Sequence, residues 1–416
     1  MPNYAENAPE SGKEIEISWD PRRIAALSAR VNDVNEPEFV RLGARGQLAA
    51  ADGDLKSGER ELFEMILKFG EYYPDNKHFF SHIMQLAVSI KNAEIIGFIL
   101  NRHFHTSDLF SVHFESVLSD YSCNQVTVSQ TGQCQLALDP GLIGSVAADH
   151  HIQRWMSSGP LWASYCQGEN WMPGSTMMNS GDAPALPGLA YCGANSDCFL
   201  VPDPYFLLSN GYSDLQSRFA MKRRPWNERQ PIAFWRGANS GQRFQDTSWD
   251  SLPRIILCKL SQANNTILDA RISWIAQFWS EQEFREIEQS GLVSGSVPEE
   301  RFLDFKYQID IDGNTNSWPG FYLKLLTGSP VLKVASPHNY RQWYYDRLRP
   351  WEHYVPVASD LSDLKDAIHW LQTHDDKARE IGAAGEQFAL SLRYDDEIRM
   401  AGASIRSAFA SGITLP

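Results

Sequence analysis

The sequence predicts an α/β protein of two Rossmann-like domains facing a cleft, preceded by a helical N-terminal module. Two observations carry that reading. Apolar residues recur at helical spacing up to about residue 104, then give way to short apolar or β-branched runs separated by Gly, Pro, Asn and Asp. Beyond Thr106 those runs alternate with helical windows, the pattern of parallel strands joined by crossover helices. A third observation is size, since 416 residues exceed one ordinary hydrophobic core. The expected division is a flexible tail at 1–20, a helical module at 21–105, Rossmann-like domains at 106–225 and 226–385, and a closing helix at 386–416.

The elements follow in chain order. Leu62, Met65, Ile66 and Phe69 recur at i, i+3, i+4 and i+7, and Ile83, Leu86, Ala87 and Ile90 repeat the spacing. Ile95, Ile96, Phe98, Ile99 and Leu100 predict a further apolar helix, so 21–105 reads as a cap or docking module. No fixed period marks it as a repeat array. Gln125 to Leu138 alternates as a strand or hairpin, and Met177 to Asp182 reads as a strand ending in a loop. Ile232–Trp235 and Pro330–Val334 predict short buried strands, with a helical window from Trp279 to Ile287 between them. Near the end, Pro350-Trp351-Glu352-His353-Tyr354-Val355-Pro356-Val357 predicts a buried strand leaving a tight aromatic turn. Leu364, Ile368 and Leu371 then form one helix face, with Ser362 or Asp360 as N-cap. A last helix follows Asp375 or Asp376, marked by Ala378, Ile381, Gly385 and Phe388.

Composition narrows the function. A net charge of −14 with no polybasic run lacks the positive footprint of nucleic-acid binding. It does not exclude a small phosphate ligand, which one local Arg/Lys cluster holds. No run reaches about 18 uncharged apolar residues, so no spanning helix is expected, which leaves peripheral membrane association open. The start, Met1-Pro2-Asn3-Tyr4, lacks the basic-then-apolar order of a secretory signal, and the expected compartment is the cytoplasm. The six cysteines include no Cys-x-x-Cys pair and read as reduced thiols rather than a zinc site.

Three stretches carry chemistry. In Arg236-Gly237-Ala238-Asn239-Ser240-Gly241-Gln242-Arg243 a strand runs into a loop with two glycines and two arginines. Glycine lets backbone N–H groups approach an anion, and arginine offers a forked permanent charge suited to a diphosphate. The plainer reading is a surface hairpin. In Asp310-Ile311-Asp312-Gly313-Asn314-Thr315-Asn316-Ser317-Trp318 the two aspartates invite a metal, but such pairs are common in turns, and no metal is expected. Asn314, Thr315, Asn316 and Ser317 instead offer amides and hydroxyls. Asp182 ends an apolar strand and precedes Ala183-Pro184, an extended exit. Read from the residues, it is a loop carboxylate that caps an Asx-turn. His353 is a packed hydrogen-bonding residue more readily than an acid/base, and His78/His82 and Asp149-His150-His151 lack a third metal ligand.

These words resemble glycosyltransferase family 90, which includes fungal capsule-associated proteins, animal protein O-glucosyltransferases and bacterial lipopolysaccharide-modifying enzymes. The likeness runs from about Gly174 to Ala389, is strongest from Phe234 onward, and suggests a bacterial-type member. It implies the two-domain arrangement called GT-B and an inverting, metal-independent glycosyltransferase with no cofactor, the nucleotide-sugar being a co-substrate. The implied donor is UDP-linked, of glucose or xylose type. The implied acceptor is a glycan hydroxyl of lipopolysaccharide or another surface polysaccharide, with a protein hydroxyl as the alternative. Asp182 matches the family's catalytic aspartate in its Asp-x-Pro context. Arg243 matches an arginine on the diphosphate, and Arg236 braces the loop. With Gly237, Ala238, Asn314, Thr315, Asn316, Ser317, Trp318 and Lys324 these two form the implied donor site. Asp203 and Tyr205, in Pro202-Asp203-Pro204-Tyr205-Phe206, resemble the acceptor-side loop. One departure stands out. The family usually carries an arginine just after the serine, where this chain has Trp318-Pro319-Gly320. Either Lys324 or Lys333 replaces that charge, or the donor site differs. The rival class is a non-catalytic, nucleotide-sensing adaptor, and the missing arginine is its main support.

Overall fold

The structure, a computed structural model, describes residues 19–70, 76–115, 123–145, 148–184, 186–194, 198–243 and 247–411. The expected tail lies almost wholly outside them. The chain forms two compact units: one of 1–190, 197–199 and 398–416, the other of 191–196 and 200–397.

The first unit opens with five helices, α1 (Pro21–Asn32), α2 (Glu38–Ala51), α3 (Leu55–Phe69), α4 (Lys77–Ser89) and α5 (Ala93–His103). Their starts are written locally. Asp20, Asp54, Asn76 and Asn92 each accept a first-turn backbone N–H, which satisfies a donor the helix leaves open. The predicted faces are the packed ones, with Leu62, Met65, Ile83, Leu86, Ala87 and Ile90 all at most 4 % exposed. Glycine sets the spacing: a Cβ at Gly46 would lie 2.6 Å from Leu86 Cδ1, and one at Gly58 2.6 Å from Ile90 Cγ2.

A six-stranded sheet follows, with strands β1 (Phe110–Phe114), β2 (Cys123–Val128), β3 (Cys134–Leu138), β4 (Gly174–Asn179), β5 (Gly188–Ala190) and β6 (Cys198–Leu200) in the order β1-β3-β2-β4-β5-β6. Between β3 and β4 lie α6 (Ala148–Met156) and α7 (Gly159–Gln167). Parallel pairing was the general expectation, with 125–138 as a strand or hairpin, and the structure makes that stretch a hairpin in a mixed sheet. β2 runs antiparallel to both β3 and β4, while β1–β3 and β4–β5 are parallel. The reason for the hairpin is the turn at 129–133, closed by Ser129 N–H to Gln133 O at 2.9 Å, because so short a connection joins only antiparallel strands.

The helical module holds α6 in place. The buried Arg23 of α1 donates to Asp149 Oδ1 at 2.9 Å and to Gln47 Oε1 at 2.6 Å, and Gln153 donates to Ser81 Oγ of α4 at 2.7 Å.

The second unit begins with α8 (Pro204–Leu208) and α9 (Ser213–Met221), followed by β7 (Gln230–Ala238), α10 (Pro253–Ala263), β8 (Leu268–Trp274), α11 (Glu281–Gln289), β9 (Phe305–Asp310), α12 (Trp318–Leu326), β10 (Val331–Val334), β11 (Val355–Val357), α13 (Leu364–Thr373) and α14 (Asp375–Ser391). The last helix, α15 (Tyr394–Ala410), crosses back into the first unit at Ile398. The five strands are all parallel, in the order β11-β10-β9-β7-β8. Read from β7, this is a doubly wound order that reverses between β7 and β9. One core under α10 and α13 holds Trp235, Ile309 and Leu332, and a second under α9 and α12 holds Phe234, Phe305 and Phe321. The predicted face of α13 is fully buried, but its N-cap is Asp363, whose carboxylate accepts Ala358 N–H at 2.9 Å. Neither Ser362 nor Asp360 takes that place.

Acid sensitivity follows from two histidines of the first unit. Burial, then the charges of His78 and Arg30 against Asp149, pushes His82 down to about 4; burial and Arg154, against Asp182, do the same to His150. The unfolded chain takes up these protons near pH ~6.5, before the folded one does. Falling pH therefore favours unfolding, and stability is lost from about pH 6.5 towards about 4. His82→Phe removes one such group, so its melting temperature should drop less than wild type between pH 7 and 5; an equal drop would refute the assignment.

Candidate active site

Open parallel sheets bind ligands beyond the carboxyl ends of their strands, at the point where strand order reverses. In the second unit that point is the end of β7 and β9, and three loops meet there. Asn239, after β7, is fully buried; its Oδ1 accepts the N–H groups of Ala276 and Gln277 at 2.7 and 3.0 Å, and its Nδ2 donates to Gln277 O at 2.7 Å. Gln277, after β8, accepts Gly241 N–H at 2.8 Å and donates to Asn314 Oδ1 at 2.8 Å. Gly313 is required by space: a Cβ there would lie 2.6 Å from Ser240 Oγ and 2.9 Å from the Arg254 guanidinium carbon.

Beneath the loops lies a buried charge cluster. Asp310, at the end of β9, has no side-chain exposure. It accepts Lys324 Nζ at 2.8 Å, Lys333 Nζ at 2.9 Å and Ser317 Oγ at 2.9 Å. Burial alone would raise its pKa, but the two ammoniums outweigh burial and hold the carboxyl well below the usual range. Burial lowers the pKa of Lys324, whereas at Lys333 the charges of Asp310 and Asp312 outweigh burial and raise it. The charge of Asp312 also reaches Lys333, so two carboxylates stand against the two ammoniums and the four balance formally, leaving the sign to any further cation. Arg254 supplies one, donating to Ser240 Oγ at 2.7 Å and to the carbonyls of Ala238, Ile311 and Asp312 at 3.0–3.2 Å. Lys324, Arg254, Ser317 and Gly320 line a cavity of about 420 Å³ at the N-terminus of α12, with Arg236, the exposed Trp274 and Glu299, itself paired with Arg218 at 2.6 Å, on its walls. A smaller cavity lies against Gln242, Asp312, Asn314, His338 and Tyr340.

The residues singled out from sequence divide accordingly. Gly237, Ser317 and Lys324 line the larger cavity, and Asn314 the smaller. Arg236, within β7, donates to Trp235 O and Asp269 O at 2.8 and 3.0 Å and pairs with the Asp269 carboxylate at 2.9 Å, so these contacts tie β7 to β8. Ala238 ends β7 and gives its carbonyl to Arg254 at 3.2 Å. Arg243 is placed differently from expectation: its guanidinium forks onto Glu283 and stacks 4.2 Å from the Trp279 ring centroid. Thr315 and Asn316 are buried, Asn316 donating to Asp312 Oδ1 at 3.0 Å, while the ring of Trp318 packs 5.5 Å from that of Tyr191. Asp203 lies in the second unit as the fully buried cap of α8, holding Tyr205 and Phe206 N–H groups and the Tyr212 hydroxyl at 2.8–3.0 Å. Burial pushes its carboxyl up to about 6, against those donors. Tyr205 is 45 % exposed beside it. His353 is structural, its Nδ1 accepting Arg349 N–H at 3.0 Å.

Asp182 belongs to the first unit, just past β4. Arg154 of α6 donates to it at 2.7 Å and to Ser180 O at 3.1 Å. Sequence reasoning passed over both Arg154 and Arg254. Each left a trace: Arg154 shares a helix face with His150 and His151, and Arg254 sits in the first turn of α10, where the helix dipole disfavours a cation. Among the described residues no group of three or more His, Cys, Asp or Glu is placed to hold a metal, and no helix is long and apolar enough to cross a membrane.

With the geometry in hand, residues 210–399 match the family described as Glycosyl transferase family 90. The chain is 31% identical over 222 residues to protein O-glucosyltransferase 2 of Danio rerio, a match covering 51% of this chain and 40% of that protein. It is 29% identical over 223 residues to protein O-glucosyltransferase 3 of Homo sapiens, with the same 51% and 40% shares. The chain thus spans less than half the length of these animal relatives. A sucrose-phosphate synthase from Thermosynechococcus elongatus overlaps at 14% identity and 51% of each chain, with a TM-score of 0.31, too loose a likeness to inform the fold. The matched segment contains the parallel sheet and its charge cluster and supports the likeness read from the motifs.

The cluster makes a sharp stability prediction. Asp310→Asn strands two buried ammoniums and should cost about 3–5 kcal/mol in chemical denaturation. Adding Lys333→Met should recover part of that loss; a double variant no better than the single would show that charge balance is not what Asp310 supplies.

Proposed function

We propose that the chain is an inverting, metal-independent glycosyltransferase that takes a sugar of glucose or xylose type from a UDP-linked donor. The observation that carries this reading is the cationic cavity at the switch point of a parallel sheet, inside the segment that matches the family. The donor diphosphate would sit on Lys324, Arg254 and the N-terminal turn of α12, where buried positive charge and helix N–H groups favour an anion. Lys324 then stands in for the arginine this chain lacks beside Trp318. The nucleoside would occupy the smaller cavity beside Gln242 and Tyr340.

The reading takes the two units as a GT-B pair, with Asp182 as base. Asp182 accepts the acceptor hydroxyl's proton as that oxygen bonds the anomeric carbon. The bond from that carbon to the diphosphate breaks with its electron pair, and Lys324 and Arg254 offset the charge gained. The acceptor is a glycan hydroxyl in the first reading. The similarity to proteins named protein O-glucosyltransferase supports a protein hydroxyl as the second. A non-catalytic, nucleotide-sensing adaptor would bind the nucleotide too, and differs in releasing no UDP from a UDP-sugar.

The test is thermal stabilisation by UDP and UDP-sugars with and without EDTA. A ligand at ~100 times its dissociation constant adds ~2.7 kcal/mol to the folded state. An EDTA-insensitive shift accompanied by slow UDP release from one UDP-sugar is expected; a shift without UDP release would favour the adaptor, and a flat panel would refute both. Lys324→Met leaves Asp310 paired with Lys333, so it should fold and weaken UDP binding about tenfold or more; unchanged affinity would remove Lys324 from the site. Asp182→Asn should keep UDP binding and lose turnover.

A further inference from the structure

We propose that Arg154 is the positioning residue for Asp182, fixing its carboxylate and keeping it ionised for proton transfer. The inference rests on the reading of Asp182 as the base and adds a residue that neither the sequence motifs nor the family match, which begins at residue 210, assigns. Arg154 is 8 % exposed although it carries a permanent charge, a costly placement unless the charge is used. Its fork spans two consecutive features of the loop after β4. Nη1 donates to Ser180 O at 3.1 Å, and Nη2 donates to Asp182 Oδ1 at 2.7 Å. The guanidinium thus ties the loop backbone and the carboxylate to one rigid plane, which a bonded but flexible lysine would not do.

The helix behind it is fixed in turn. α6 is anchored through Asp149 to Arg23 and through Gln153 to Ser81, and His151 Nδ1 lies 3.2 Å from Ser180 Oγ. His150, on the same face, stays neutral at pH 7 and adds no competing charge beside Asp182. Arg154 and His150 of α6 both act on the carboxylate, and His151 of the same helix lies against Ser180. A loop aspartate that is 40 % exposed would otherwise sample many rotamers, and proton transfer needs the base within hydrogen-bond reach of the hydroxyl.

The experiment compares wild type, Arg154→Gln, Arg154→Lys and Asp182→Asn in the full chain. It uses UDP release from UDP-glucose across pH, with melting temperature and UDP affinity measured alongside. Glutamine keeps a donor for Ser180 O but removes the charge, so R154Q should lower kcat about tenfold or more. Its acid limb should also move up by about one pH unit, the scale of an arginine's effect on a neighbouring carboxyl. Lysine keeps the charge but loses the fork, so R154K should lower kcat with the acid limb in place. UDP affinity should stay at wild type in both. Wild-type rates in both variants, or a kcat loss in R154Q with the limb unmoved, would overturn the proposal; the latter would mean Arg154 only supports the loop. Should R154Q fail to fold, R154K decides alone: a wild-type kcat or a displaced limb overturns it. Near-normal turnover in D182N refutes the base assignment itself, and a wild type that releases no UDP from any UDP-sugar refutes the transferase reading, outcomes distinct from either.

Discussion

The second unit is organised around one buried carboxylate. Asp310 ends the strand beside the switch point, and the groups it accepts come from three places: Lys324 on α12, Lys333 on β10 and Ser317 in the intervening loop. Removing a carboxylate from water costs several kcal/mol, repaid only where cations and donors surround it. Here they do, and the result is geometric. α12 cannot slide along the sheet without breaking Lys324–Asp310, and β10 cannot shift register without breaking Lys333–Asp310. With Arg254 the same arrangement leaves positive charge beneath the cavity, so the device that fixes α12 also contributes to the electrostatic character of the site.

The first unit solves a parallel problem with a different cation. Its helical module backs α6, and α6 presents Arg154 to the loop after β4. The docking-module expectation for 21–105 thus gains an internal role: these helices form the foundation under Asp182. Of the buried polar residues on them, Arg23 and Ser81 bond α6 directly, and Gln47 holds Arg23 in place.

The aromatic turn at 350–354 shows how local strain is carried. Trp351 has φ of +64°, a conformation costly for a bulky side chain. Trp351 N–H donates to Tyr354 O at 2.7 Å, and Arg349 N–H is held by His353 Nδ1 at 3.0 Å. α14 packs against the turn at Gly385, where a Cβ would lie 2.6 Å from His353 O. The turn is therefore fixed by its own hydrogen bonds and by a helix that approaches without a side chain.

Much of this was written in the sequence, because periodicity and capping are local. The faces of α3, α4 and α13 and the strands β4, β7, β10 and β11 follow from spacing and residue type alone. So did the loops after β7 and β9, whose glycines and small polar residues mark close backbone approach. Tertiary structure decided what depends on partners distant in sequence. The β2–β3 hairpin follows from a short turn, but the pairing of β2 with β4, some fifty residues away, does not. Arg243 and Arg254 are both arginines near one loop, yet Glu283 engages the first while the second stands at the cavity, and beyond the unfavourable place of Arg254 in a helix's first turn no local pattern separates them. Asp310 and Asp312 read alike as a pair, but only packing shows that lysines from α12 and β10 surround the first. A residue's type fixes what it is able to bond; which bond forms is set by the charges that folding brings within 3 Å or so of it.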